Sequence, residues 1–207
     1  MKNLILTLLI LTLLTACDQK KPVEKTEVQE QKTDLKIVGE TEKSVKEYKT
    51  NSGKIFIVKE EKTSASLSKI SITPKGFENS KDVIQMEESN PFDYALVADI
   101  NKDGFDELYI ITRGAGSGSY ANIYGFSSNK DKSVSPIYVP ELSDDDFVAL
   151  FQGYMGHDKF YIEDNKLLRK YPVYKKEDSN DNPTGGDKIV EYQLKMGEAS
   201  WILELIK

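Results

Sequence analysis

Leu108-Tyr109-Ile110-Ile111-Thr112-Arg113-Gly114-Ala115-Gly116-Ser117-Gly118-Ser119-Tyr120-Ala121-Asn122-Ile123-Tyr124-Gly125-Phe126 reads as strand, loop, strand. The two flanks are rich in β-branched and aromatic residues, which fit a pleated, half-buried surface. The middle alternates glycine with small residues, so it can be narrow and project without side-chain bulk. A phosphate cradle would need a helix starting directly after the glycines, but Asn122-Ile123-Tyr124 continues as strand. The stretch therefore predicts two neighbouring strands joined by a thin outward loop.

The same grammar extends in both directions. Upstream, Lys54 to Lys59 and Ser66 to Ile72 have strand length and composition, and Phe92 to Ile100 runs as a strand toward the turn before Leu108. Phe77 to Asn90 reads as a polar connector that touches the core through Val83, Ile84 and Met86. Downstream, strands are expected over Asn122 to Ser127, Val134 to Val139, Lys159 to Glu163, Lys166 to Lys175, Lys188 to Leu194 and Ser200 to Ile206. Ser143 to Phe151 is the one helix candidate, with Ser143 and Asp146 spaced as a capping box and acidic residues in the first turn. About nine short strands with one short helix predict an all-β fold, an antiparallel β-sandwich or barrel-like meander. No helical crossover pattern supports a parallel sheet.

The start of the chain has a different character. Met1-Lys2-Asn3 is a short basic start, and Leu4 to Ala16 is apolar except for threonines. That run falls short of the ~20 apolar residues a membrane-spanning helix needs and suits a signal-peptide core. Leu14-Thr15-Ala16-Cys17 resembles the lipobox of bacterial lipoproteins, which makes residues 1–16 a lipoprotein signal peptide and Cys17, the only cysteine, the lipidated residue. An ordinary secretory peptide cleaved near Ala16 is the alternative. If Cys17 is lipidated, no cysteine is left for disulfides, thiol catalysis or zinc.

From Asp18 to Thr50 the composition is that of a disordered tether, polar and charged with no aromatic before Tyr48. A flexible chain of this length would hold a domain on the order of 30 Å from its anchor. The folded domain is then expected over 51–207. The tether carries eight of the 28 basic and eight of the 34 acidic residues; with Lys2 in the leader, 19 basic and 26 acidic residues remain, a net charge of −7. This balance argues against nucleic acid as a partner, because phosphate binding needs clustered lysine and arginine. It suits a cationic protein partner.

Catalytic templates find few residues to work with. His157 is the only histidine, so zinc sites built on several histidines are excluded and only one Ser-His arrangement, with Ser117 or Ser119, could be drawn. Capping accounts for Asp144 to Asp146 without chemistry. The chain reads as a non-enzyme. Asp99, Asn101, Asp103 and Glu107 stand at positions 1, 3, 5 and 9 of a loop with Gly104 at 6, the spacing by which oxygen ligands wrap calcium. Position 12 is Ile110, so the bidentate glutamate of an EF-hand is missing. An Asp-Gly β-turn whose side chains bond their own backbone is the simpler reading and needs no cofactor.

Several separated motifs together resemble one family. Ala98 to Tyr109, Ala115-Gly116-Ser117-Gly118-Ser119-Tyr120, Gly153-Tyr154-Met155-Gly156-His157-Asp158, Asp178-Ser179-Asn180 with Pro183-Thr184-Gly185-Gly186, and Gly197-Glu198-Ala199-Ser200-Trp201 are similar, in this order, to the periplasmic inhibitors of invertebrate-type (I-type) lysozyme. The resemblance implies a β-sandwich-like inhibitor whose Ser-Gly-x-Tyr loop, here Ser117, Gly118, Ser119 and Tyr120, enters the lysozyme cleft. It makes a homodimer plausible. The chain departs from the soluble members in its lipoprotein leader and tether, which place it at the bacterial cell envelope, facing the periplasm or on the outer membrane, with membrane contact through the lipid alone. The rival expectation is a calcium-stabilised adhesion or sugar-binding envelope lipoprotein built on Asp99 to Glu107.

Overall fold

In the computed structural model, which describes residues 43–206, the chain runs through three successive four-stranded antiparallel meanders. The first sheet is β1 (Lys43–Lys49), β2 (Ile55–Lys62), β3 (Ser68–Lys75) and β4 (Ile84–Ser89). The second is β5 (Phe92–Ala98), β6 (Glu107–Arg113), β7 (Ala121–Asn129) and β8 (Ser133–Ile137). A short helix α1 (Asp144–Ala149) precedes the third, β9 (Lys159–Glu163), β10 (Lys166–Pro172), β11 (Asp187–Met196) and β12 (Trp201–Leu205). The all-β expectation holds, with one short helix and a third sheet added to the sandwich.

Strand β6 explains the layering. Leu108, Tyr109, Ile110 and Ile111 are all fully buried, and alternate side chains of a strand point to opposite faces. Leu108 and Ile110 pack with Phe56, Val58, Ile70 and Ile72 of the first sheet. Tyr109 and Ile111 pack with Phe160, Leu167 and Tyr171 of the third-sheet side. The second sheet is therefore the middle layer, and an apolar run without alternation is what a strand covered on both faces requires. Each such side chain contributes roughly 1.5–3 kcal/mol of burial.

The second and third sheets also meet at their edges. Tyr138 donates its N–H to Trp201 O and accepts from Leu203 N, both at 2.8 Å, beside an isolated bridge between Tyr138 and Ile202. On the other side the Tyr94 hydroxyl bonds both Phe160 O and Phe160 N at 2.8 Å. These links give the pair its barrel-like character. The helix carries the expected capping box, with Ser143 Oγ accepting from Asp146 N and Asp146 Oδ2 accepting from Ser143 N.

The tether reading over 17–50 needs correction at its end. Residues 43–49 form β1, paired along its length with β2 from Lys43↔Glu61 to Lys49↔Ile55. Its sequence resembles a tether because it is an edge strand: Tyr48 packs on the core, Lys46 lies over the Phe92 ring at 5.1 Å, Ser44 is half-buried, and Lys43, Val45, Glu47 and Lys49 are exposed. Charged edge strands resist pairing with foreign strands. Beyond the strand, buried Asp106 accepts from Asn51 N at 2.5 Å and Asn51 Nδ2 at 3.1 Å, tying the β1–β2 turn to the middle sheet. The connector reading of 77–90 changes likewise, since Ile84–Ser89 is a second charged edge strand, with Glu87 paired to Lys69 at 3.1 Å. The leader, Cys17 and the tether up to residue 42 lie outside the described residues. No helix among the described residues is long and apolar enough to cross a membrane.

Candidate functional site

The glycine loop is the hairpin connection between β6 and β7. Gly114 N donates to Tyr120 O at 2.9 Å, closing its base, and Ser119 N donates to Gly116 O at 2.9 Å, forming the turn at its tip. Ala115, Gly116, Ser117 and Tyr120 are exposed.

Three consecutive carbonyls of the loop are bonded by other parts of the domain. Asn180 Nδ2 donates to Ser117 O at 2.8 Å, His157 N to Gly118 O at 2.8 Å, and Arg113 Nη1 to Ser119 O at 2.9 Å. The loop is thus held in one shape by a bed made of the 153–158 turn and the 178–186 loop. By contrast, among the described residues the hydroxyls of Ser117, Ser119 and Tyr120 make no hydrogen bond. The loop's carbonyls are satisfied by the domain, and its side-chain hydroxyls are left without a partner among the described residues.

The fit of the bed is tight. A Cβ on Gly156, whose φ is +92°, would lie 1.8 Å from Gly118 O, so glycine alone permits this approach. Ser119 and His157 are both in the left-handed region, at φ 45° and 55°. Non-glycine residues held there store strain that the surroundings must fix, and such strain gathers at binding and switch sites. His157 meets the loop through its backbone; its ring lies beside Tyr174, centroids 6.4 Å apart.

Beneath the loop lies a buried ion pair. Asp158 accepts from Arg169 Nε at 2.6 Å and from Ala121 N at 3.0 Å, and both side chains are almost wholly buried. Arg169 also donates to the hydroxyls of Tyr154 at 2.6 Å and Tyr192 at 3.3 Å, and its guanidinium sits 4.9–5.3 Å from the rings of Phe151, Tyr154 and Phe160. Burial opposes its charge, but the Tyr192, Asp158 and Tyr154 oxygens outweigh that and hold its pKa above the usual arginine value. Arg113 completes the support, donating to Asp93 at 2.7 Å and to Asp158 O at 3.0 Å. These are the chain's only two arginines, beside 26 lysines, and both meet at Asp158. Planar, multidentate donors are what such a junction needs.

Tyr120 lies edge-on to Tyr154 at 5.5 Å, Tyr154 to Phe151 at 5.4 Å, and Phe151 lies beside Phe147 at 5.9 Å. This aromatic path connects the loop to helix α1. Compared with protein-family models, curated proteins and solved structures, the chain matches none. The site must be judged on its own residues.

On that basis, the predicted loop residues Ser117, Gly118, Ser119 and Tyr120 form one exposed feature, and two further motifs, at 153–158 and 178–186, converge on it. The Gly197 to Trp201 motif instead forms the β11–β12 hairpin, where Gly197 N donates to Ser200 O at 2.9 Å. Arg169 escaped the sequence reading; its signal was the rarity of arginine. The acidic set lies at the opposite end of β6, where Asp99, Asp103 and Glu107 come together. Desolvation pushes the Glu107 carboxyl up to about 8, with the charges of Asp103 and Asp99 adding to the rise.

Proposed function

We propose that this chain is a lysozyme inhibitor, directed at the invertebrate type, that inserts the Ser117 to Tyr120 loop into the enzyme's cleft. The observation that carries this reading is the loop's polarity. Its carbonyls are used up by the domain, while three hydroxyls stand free at a thin, fixed tip. A glycosidase cleft presents two carboxylates, both of which can accept hydrogen bonds. Hydroxyl donors from Ser117 and Tyr120 complement them, and hydrogen bonds to charged acceptors are about twice as strong as neutral ones. Preorganisation adds to affinity, because little loop entropy remains to be lost on binding. The half-exposed Tyr120 ring supplies the amphipathic contact that often dominates interfaces. The convergence of the 153–158 and 178–186 motifs on this loop supports the same reading, and the leader over 1–16 followed by Cys17 supports a place at the bacterial envelope.

The test is lytic activity of a panel of lysozymes titrated with the chain. Ser117→Ala and Tyr120→Ala should each weaken inhibition of the susceptible enzyme by about 1–3 kcal/mol, roughly 5- to 150-fold in the inhibition constant. Inhibition of no lysozyme, or wild-type potency in both variants, would overturn the proposal.

A further inference from the structure

The turn from Asp99 to Glu107 joins β5 to β6, and most of its polar groups serve the turn itself. Asp99 accepts from Asp103 N at 3.0 Å and Gly104 N at 2.8 Å, Asn101 Oδ1 accepts from Asp103 N at 3.0 Å, and Asp103 Oδ1 accepts from Phe105 N at 3.0 Å. Those bonds shape the backbone and call for no ion.

Glu107 is different. It is fully buried, yet its Oε1 has no hydrogen-bond partner among the described residues. Its other oxygen receives only long bonds, from Ile100 N at 3.3 Å and the Tyr109 hydroxyl at 3.4 Å. One carboxylate oxygen from each of Asp99, Asp103 and Glu107 lies within 4.8 Å of the others. Among the described residues no lysine, arginine or histidine forms an ion pair with any of the three. Glu107 thus brings a fully buried oxygen without a partner to a cluster that holds no cationic side chain, and leaving such a polar atom unsatisfied is costly.

We propose that this turn binds one calcium ion through the carboxylates of Asp99, Asp103 and Glu107, with the side-chain oxygen of Asn101 and water completing the shell. The donors are all hard oxygens with no histidine or cysteine, which selects calcium or magnesium over zinc or copper. The spacing then separates the two: Asp99, Asn101 and Asp103 at positions 1, 3 and 5 with Gly104 at 6 follow the pattern of loops that wrap calcium, whereas magnesium keeps most of its waters and is held by one or two carboxylates. The backbone bonds do not compete with the ion, because an ionised carboxylate has about four lone-pair positions.

The ion would pin the start of β6, about 20 Å along the strand from the loop that follows Arg113. Its role is therefore to stabilise the middle sheet, independent of the lysozyme reading. The test uses the full chain stripped with a chelator and titrated calorimetrically with calcium and, in parallel, magnesium. Terbium emission sensitised by Tyr109, displaced by calcium, gives a second readout, and the melting midpoint a third. One site per chain is expected, with a midpoint several degrees higher in millimolar calcium. Asp103→Asn, an exposed substitution that leaves the core intact, should lower calcium affinity on the order of tenfold; Glu107→Gln should abolish the response. Absence of binding heat with an unchanged midpoint would overturn the site, as would an undiminished calcium response in Asp103→Asn. Tighter binding of magnesium than calcium would overturn the choice of ion.

Discussion

Replacing Asp158 by alanine is expected to destabilise the domain by about 3–5 kcal/mol, the range for removing one partner of a buried ion pair. Arg169 would be left charged among Phe151, Tyr154 and Phe160 with no carboxylate. Ala121 N would lose its acceptor at the first residue of β7. Equilibrium urea unfolding checks the value. The double variant Asp158→Ala/Arg169→Met should cost less than Asp158→Ala alone, because it removes the orphaned charge together with its partner. A cost below about 1 kcal/mol for Asp158→Ala would mean that the pair does not anchor the bed of the loop.

That anchoring links stability to binding. The Asp158 carboxylate accepts from Ala121 N, the residue directly after Tyr120, as well as from Arg169 Nε, whereas Arg113 bonds the Asp158 backbone carbonyl, which the substitution keeps. Loss of the carboxylate should therefore loosen the loop where it returns into β7 as well as the core. Inhibition should fall more steeply in Asp158→Ala than the fraction of unfolded chain accounts for, which activity and unfolding curves recorded on one preparation would separate.

The middle sheet was the most legible part of the fold. Tyr109 to Thr112 and Ile123 to Phe126 carry apolar residues on both faces, and a strand covered on both sides has little choice of composition. The two charged edge strands of the first sheet were illegible for the opposite reason. Lys43–Lys49 and Ile84–Ser89 each pair on one side only and expose charge on the other, so their sequences carry the signature of unfolded or connecting chain. Their strand state comes from the neighbour that recruits them. At the site, Ser117 to Tyr120 could be read because glycine and serine at a hairpin tip have local meaning. The bed could not, because Asn180 and Arg169 reach it through tertiary packing that leaves no local pattern.

Gly156→Ala should remove inhibition almost completely, by a route that Gly118→Ala does not share. A methyl on Gly118 would sit 2.3 Å from Tyr120 Cε2 and 3.1 Å from Met155 O. The closest atom is the edge of an exposed ring that can swing aside, so Gly118→Ala should mainly reorient Tyr120 and weaken inhibition about as much as Tyr120→Ala does. A methyl on Gly156 would instead sit 1.8 Å from Gly118 O and 2.7 Å from Gly118 C. Those atoms are backbone and cannot rotate away. Position 156 also lies at φ +92°, where a side chain adds strain of roughly 1–3 kcal/mol. The loop would have to lift from its bed, breaking the bond from His157 N to Gly118 O and, with it, the fixed placement of the hydroxyls. A loss of about a hundredfold or more in potency is expected, because a 1 Å misplacement of groups that must meet a fixed partner can cost that much. Amide exchange at His157 should rise in parallel while the core amides of β6 remain protected. If Gly156→Ala kept full potency with a fast-exchanging His157 amide, the rigid seating of the loop would be irrelevant to binding, and the donors of Ser117 and Tyr120 would have to act from a flexible segment.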